Sequence, residues 1–246
     1  MHKVSPAVWH KTRREVTWHD RVKALKDAYR DKAGTCFVIS CGPSTSQVLS
    51  DTKVVSALKR KLLVCVKGSI DYFSKHCDFH IYNSDYVLEG RKYECPYTTR
   101  ITIHKDAYKM GSDIHFRLQK NQGGAQNKLG LKGSVSAVHN WADWDMAKAF
   151  DRPWGPGVMS ELGIFLPVHL GVKRIVVIGW DLNPEELRHY YDEGVANPGK
   201  YLREGKLIHA SIPSLLKWLG KKGVELVLCS PRSALPIPQV RMEDVL

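Results

Sequence analysis

The residues best placed to do chemistry in this chain gather in a few short polar stretches. One is "CGPSTSQ" (41–47), between a continuous apolar run and a helical pattern. Gly42 lets a backbone approach a ligand closely. The Gly42, Pro43 and Ser44 turn then sets the hydroxyls of Ser44, Thr45 and Ser46 beside the first amides of a helix. Such an end attracts phosphate through its N–H groups and dipole. The stretch matches neither G-x-x-x-x-G-K-[ST] nor G-x-G-x-x-G, which argues against P-loop hydrolysis of ATP and ordinary NAD binding. The plainer reading is a capped turn, with Ser44 and Gln47 as an S-x-x-Q capping box.

A second stretch, "YNSD" (82–85), ends an apolar run with Asn83, Ser84 and Asp85. These groups suit ribose hydroxyls or base edges; an Asx-turn is the alternative. His209 stands before a helical pattern that starts near Ser211. The ordinary titration range of histidine suits a general base near neutral pH, although a lone histidine is more often structural. Tyr190, Tyr191 and Tyr201 precede it in a polar segment. Their phenols would donate to a departing phosphate, or simply pack. Asp143 and Asp145 imitate a metal-binding Asp-x-Asp, but residues two apart on a helix point in different directions. They read as surface helix, and no metal site is assigned. His104 and His115 lack ligand-like neighbours. The six cysteines (36, 41, 65, 77, 95 and 229) form no CxxC pair, and several lie in apolar runs. They read as buried thiols of a reducing cytoplasm.

The elements that must position these residues alternate. "CFVIS" (36–40), "LLVCVK" (62–67), "DFHIYNSD" (78–85), "TTRITIH" (98–104), "KRIVVIGW" (173–180) and "VELVLCS" (224–230) read as strands. Helical patterns cover 17–33, 44 to about 61, a short piece near 68–77, 134–150, a stretch with Val158, Leu162 and Phe165 on one face, and 211–223. Gly171 should cap the stretch containing Phe165, and Pro167 should kink or shorten it. Residues 105–132 read as a long polar loop. Alternation of this kind predicts an α/β fold, a Rossmann-like, mostly parallel sheet with helices on both faces. Ligands of such sheets sit beyond the carboxyl ends of the strands. Four polar tips, 41–46, 67–71, 83–85 and 180–183, should therefore converge on one crevice, bringing Asp181 into it.

A chain of 246 residues suits one domain over 1–246, with a core at about 35–235 and a lid at 183–208. No apolar run reaches the ~20 residues that span a bilayer, and the N-terminus lacks the apolar centre of a secretory signal. A cytoplasmic setting in a bacterial or phage-infected cell is expected. The net charge of +12, from 37 basic and 25 acidic residues, favours anionic partners or marks a solvated basic surface.

The order of these motifs resembles glycosyltransferase family 42, the bacterial sialyltransferases. The islands are "CGPS", "IYNSD", "GPGVMSELGIFLPVHLGVKRIVVIGWDLN", "HASIPSLLKWL" and "VELVLCSPRSAL", spread over about 35–235. The related MptE-like family shares the glycine-rich helix followed by strand and G-x-D. The resemblance implies a nucleotide-sugar transferase that needs no Asp-x-Asp metal and no cofactor beyond its nucleotide-sugar donor. It maps the family's catalytic histidine onto His209 and one phosphate-contacting tyrosine near Tyr190 or Tyr191. The other tyrosine position is Asn183 here. The family's Thr-Ser is Gly155-Pro156, just before Gly157, and an asparagine at the second strand's end is replaced by Lys67 or Gly68. With these departures the donor need not be a CMP-sugar.

The expected activity is metal-independent, inverting transfer of a sugar to an acceptor hydroxyl. His209 would be the base, with Tyr190, Tyr191 and Arg188 near the leaving phosphate. Gly42, Pro43, Ser44, Thr45, Asn83, Ser84, Asp85, Gly157, Asp181 and Asn183 would hold the nucleotide. The acceptor would be a modified base in DNA or an anionic glycan. Two alternatives are an MptE-like pyrophosphokinase holding a divalent metal on Asp85 and Asp181, and a non-catalytic nucleotide- or nucleic-acid-binding module.

Overall fold

A computed structural model of the chain describes residues 34–82, 98–102, 114–115, 163–185 and 205–246. Seven strands form one sheet: β1 (Thr35–Ile39), β2 (Leu62–Val66), β3 (Phe79–Tyr82), β4 (Thr99–Thr102), β5 (Ile114–His115), β6 (Arg174–Ile178) and β7 (Glu225–Leu228). Their order is β5-β4-β3-β2-β1-β6-β7, and every pairing is parallel. The fold is α/β, as the alternation predicts.

The apolar runs are continuous because both faces of the sheet are covered. Cys36, Val38, Val64, Ile175 and Val177 face a layer containing Phe165, Ile212 and Trp218. Their neighbours Phe37, Ile39, Leu63, Val176 and Ile178 face Leu49, Leu58, Phe73 and Met242. Each such side chain contributes about 1.5–3 kcal/mol on burial. Exposing either face would cost more than any turn or cap could return.

Helices α1 (Ser44–Leu49), α2 (Thr52–Leu58) and α3 (Ile70–Phe73) follow the first two strands. Helix α4 (Phe165–Leu170) ends at Gly171, left-handed at φ 85° as expected of its cap. Pro167 lies in the first turn of α4, where no intrahelical N–H bond is lost. Helix α5 (Lys206–Lys221) precedes β7.

Four sequence expectations need correction. The helix expected over 44–61 is broken, because Asp51 leaves helical geometry and its carboxylate caps α2 through the Lys53 N–H at 2.7 Å. The Ser44–Gln47 capping box does not form, because Ser44 already lies inside α1 and Pro43 occupies the cap position. His209 lies within α5, not before it. Ile208, Ile212, Leu215 and Leu219 recur with helical spacing against the sheet and extend the helix past Pro213. Within the stretch read as a long loop, Ile114 and His115 pair with Ile101 and Thr102. Two residues are too few for alternation to register. The expected helices over 17–33 and 134–150 lie outside the described residues.

The segment after β7 folds back along that strand. Leu228 donates its N–H to the Pro238 carbonyl and accepts from the Val240 N–H. The outer edge of β7 is thereby paired at Leu228, which shortens the edge open to another chain. Among the described residues no helix is long and apolar enough to cross a membrane.

Candidate active site

From β1 the chain builds the sheet in one direction through β5, then β6 and β7 add on the other side of β1. The strand order reverses between β1 and β6, the point where open α/β sheets bind ligands beyond the carboxyl ends. There the two strand tips are joined tightly. Ser40 donates its N–H to the Ile178 carbonyl at 2.7 Å, and Gly42 donates to the Gly179 carbonyl at 2.8 Å. A Cβ on Gly42 would meet the Asp181 carboxylate at 2.4 Å, and one on Gly179 would meet Thr45 Oγ1 at 1.8 Å. Gly179 is also left-handed, at φ 77°. The closeness that Gly42 permits is to the protein itself.

Asp181, buried at the β6 tip, takes the Ser44 N–H on Oδ2 at 2.7 Å. It therefore caps α1 from 137 residues away, where a carboxylate favours the positive end of the helix. The hydroxyls of the turn also have protein partners. Thr45 donates to the Ser40 carbonyl, Ser46 donates to the Pro43 carbonyl, and Ser44 Oγ accepts the Arg232 N–H. The sequence reading of these amides and hydroxyls as turned toward a phosphate does not hold for the atoms of Ser44 and Thr45. Both residues are fully buried, while Gly42 is half-buried.

The loop after β7 belongs to the same site, and sequence reasoning gave it no role. Ser230 Oγ accepts the Gly179 N–H at 2.8 Å. Ser233 donates to the Trp180 carbonyl at 2.8 Å, and Ala234 donates to the Asp181 carbonyl. Arg232 reaches Gln47 Oε1 through Nε at 3.3 Å. The available signal was "CSPRS" (229–233), a polar Pro–Ser stretch directly after a strand, as in the β1 turn.

The β2 tip lies against the other side of the β1 turn. Cys41 Sγ donates to the Val66 carbonyl at 2.9 Å, and Ser69 donates to the Ile39 carbonyl at 2.7 Å. Lys67 then turns left-handed at φ 50°. His80, fully buried on β3, sets Nε2 2.8 Å from the Lys67 carbonyl. A carbonyl only accepts, so Nε2 carries the proton. On the β6 tip Leu182 is also left-handed, at φ 43°. His209 Nε2 lies 3.4 Å from the Leu182 carbonyl. The two non-glycine residues with positive φ among those described thus flank the β1 turn, each with a histidine at its carbonyl.

Three of the five described cysteines are held as thiols by burial. Burial, with Asp78 and Cys65 as lesser causes, holds the Cys36 thiol well above its ordinary range. Burial does the same for Cys77. Cys229 is pushed up to about 12 by burial, helped by the nearby carboxylates of Asp244 and Glu243. The five described cysteines are buried thiols outside any disulfide.

No protein-family model and no curated protein matches this chain. Among solved structures it is similar to the MAf glycosyltransferase from Magnetospirillum magneticum AMB-1, with a TM-score of 0.50 and 13% identity. The match covers 94% of this chain and 39% of that one, so the chain spans about two fifths of its length. The likeness is one of fold, a parallel α/β sheet with helices on both faces. In this sheet three of the four expected tips come together: 41–46, 67–71 and 180–183. Gly42, Pro43, Ser44, Thr45, Asp181 and His209 all lie at or beside the β1–β6 junction. Asn183 is at its rim, where its side-chain oxygen takes the Glu185 N–H in a local turn. Asn83, Ser84, Asp85, Gly157, Arg188, Tyr190 and Tyr191 lie outside the described residues.

Proposed function

We propose that this chain is a glycosyltransferase that moves a sugar from a nucleotide-activated donor to an acceptor hydroxyl, inverting the anomeric centre without a metal. The observation that carries this reading is the place of His209. It lies beside the β6 tip of a glycosyltransferase-like sheet, at the point where strand order reverses. Nε2 lies 3.4 Å from the Leu182 carbonyl, and the imidazole is assigned to take the acceptor proton. The acceptor oxygen attacks the anomeric carbon, the bond to the nucleotide phosphate breaks, and its electron pair leaves with that phosphate. Tyr190, Tyr191, Arg188 and Asn183 are assigned to the leaving group. The nucleotide is assigned to the Gly42–Thr45 turn, Asn83, Ser84, Asp85, Gly157 and Asp181, in the manner of glycosyltransferase family 42 and the MptE-like proteins. In the turn, contact runs through backbone and shape, since the Ser44 and Thr45 hydroxyls bond within the protein. The net charge of +12 favours an anionic acceptor, a base in DNA or an acidic glycan.

The pyrophosphokinase alternative asks Asp181 to hold a divalent ion. Its Oδ2 is committed to the Ser44 N–H in a buried position, which disfavours that role. The test is turnover with purified protein and a panel of nucleotide sugars, with and without chelator. His209→Ala should lower turnover by about 100- to 10,000-fold, the usual contribution of a general base, and leave donor affinity unchanged. Parent-like turnover in that variant removes His209 from the mechanism. Loss of turnover on chelation removes metal independence. Nucleotide binding without any donor consumption would point to the non-catalytic module.

A further inference from the structure

Lys67 is an unusual residue to find left-handed. That conformation is adopted chiefly by glycine, with asparagine, aspartate and histidine next, and costs a side chain with a Cβ about 1–2 kcal/mol. Gly68 follows at once. A one-residue shift of the turn would put glycine in the strained place, yet Lys67 takes it at φ 50°. The surroundings enforce this. The Val66 carbonyl just before it is held by Cys41 Sγ at 2.9 Å and shares the Ser69 hydroxyl proton with the Ile39 carbonyl. The Lys67 carbonyl itself is held by buried His80 at 2.8 Å. His80 is in turn packed 5.0 Å from the buried Tyr82 ring. Strain that several neighbours over-determine, here at the carboxyl edge of an α/β sheet and against the β1 turn, is of the kind that collects at ligand sites.

We propose that Lys67 binds the phosphate of the nucleotide donor and that His80 is the positioning residue that fixes Lys67 in its left-handed conformation. The inference rests on the transferase reading above. It supplies the cation that the β1 turn lacks: the Ser44 amide is occupied by Asp181 and the turn carries no lysine. A lysine ammonium is a compact charge on a flexible stem, suited to a phosphate whose charge grows as it leaves. His80 acts only through the backbone, so it determines where the ammonium stands rather than touching the ligand.

The experiment is calorimetric titration of the full chain with CMP, UDP, GDP and ADP, beside cytidine, uridine, guanosine and adenosine. Lys67→Asn tolerates the left-handed turn and removes the charge. It should weaken binding of the preferred nucleotide by about 10- to 100-fold, the worth of one charge-assisted hydrogen bond, and leave nucleoside binding unchanged. Lys67→Gly should keep the melting temperature and show the same split. His80→Leu should lower nucleotide affinity in the same direction, and His80→Gln, which keeps a donor near the Nε2 position, should restore it. Unchanged nucleotide affinity in Lys67→Asn overturns the proposal, as does an equal loss for nucleotide and nucleoside. If the parent protein binds a nucleotide and only the Lys67 result fails, the transferase reading stands. If the parent binds none of the four, both fall. Should His80→Leu not fold, the Lys67 pair decides the outcome.

Discussion

At the scale of single residues, the site is built from close contacts that leave no room for ordinary side chains. Gly179 shows it most directly, with a left-handed backbone and a virtual Cβ 1.8 Å from Thr45 Oγ1. Gly179→Ala should destabilise the protein by about 2–4 kcal/mol, from backbone strain and overpacking together. Urea denaturation reads this as a lower midpoint at constant slope. An unchanged midpoint would mean that Thr45 swings aside at no cost. Gly42, Asp181 and His209 stood out in the sequence because glycine after a strand, a polar tip residue and a histidine before an apolar helix are recognisable types. His80 did not. It sits inside an apolar run, and its contact with the Lys67 carbonyl spans 13 residues. Serine hydroxyls were legible as hydroxyls, but their direction was not. Thr45 turns to the Ser40 carbonyl within its own turn, while Ser44 is met by Arg232, which only tertiary packing brings to it.

At the scale of elements, the junction is a cap supplied by another strand. Helix α1 carries no cap of its own, and the β6 tip provides one through Asp181. Asp181→Ala should cost about 1–3 kcal/mol, the penalty for a buried N–H left without its acceptor. Asp181→Asn, which keeps a side-chain carbonyl, should cost clearly less. Paired thermal melts of the two variants measure the difference. Equal melting temperatures for both and the parent would deny the cap. The strands β1, β2, β3, β6 and β7 were readable because continuous apolar runs have few alternatives in a chain of this size, and β4 because apolar and polar residues alternate along "TTRITIH". Helix limits were less so. Asp51 divides a uniform helical pattern because a capping carboxylate favours extended geometry there. Helix α5 begins before Pro213 because its apolar stripe outweighs the lost backbone bond.

At the scale of the whole molecule, the buried thiols couple stability to alkaline pH. Cys229 has a folded-state pKa raised from 9.0 to about 12, and burial raises Cys36 and Cys77 as well. Below pH 9 both folded and unfolded chains hold these protons, and the contribution is fully present. Above it the unfolded chain ionises first, so stability should fall as pH rises from 9 toward 12. For Cys229 the loss should be about 1 kcal/mol by pH 10, and Cys36 and Cys77 should act in the same direction. Denaturant midpoints at pH 8 and pH 10 check the sign, and a constant midpoint would contradict it. At pH 8 these three thiols should also resist alkylation until the chain unfolds.

The sequence by itself determined the layer architecture, because apolar runs of strand length separated by helical patterns bury both faces only in a parallel α/β sheet. It also determined which loops are polar, and so which end of the sheet could carry a site. Tertiary structure decided the strand order, and with it the reversal between β1 and β6 where Gly42, Asp181 and His209 meet. It also decided which polar atoms are consumed in holding that junction together. Those outcomes depend on contacts between residues 13 to 188 positions apart. Local propensity acts over a turn or two and carries no information about such partners.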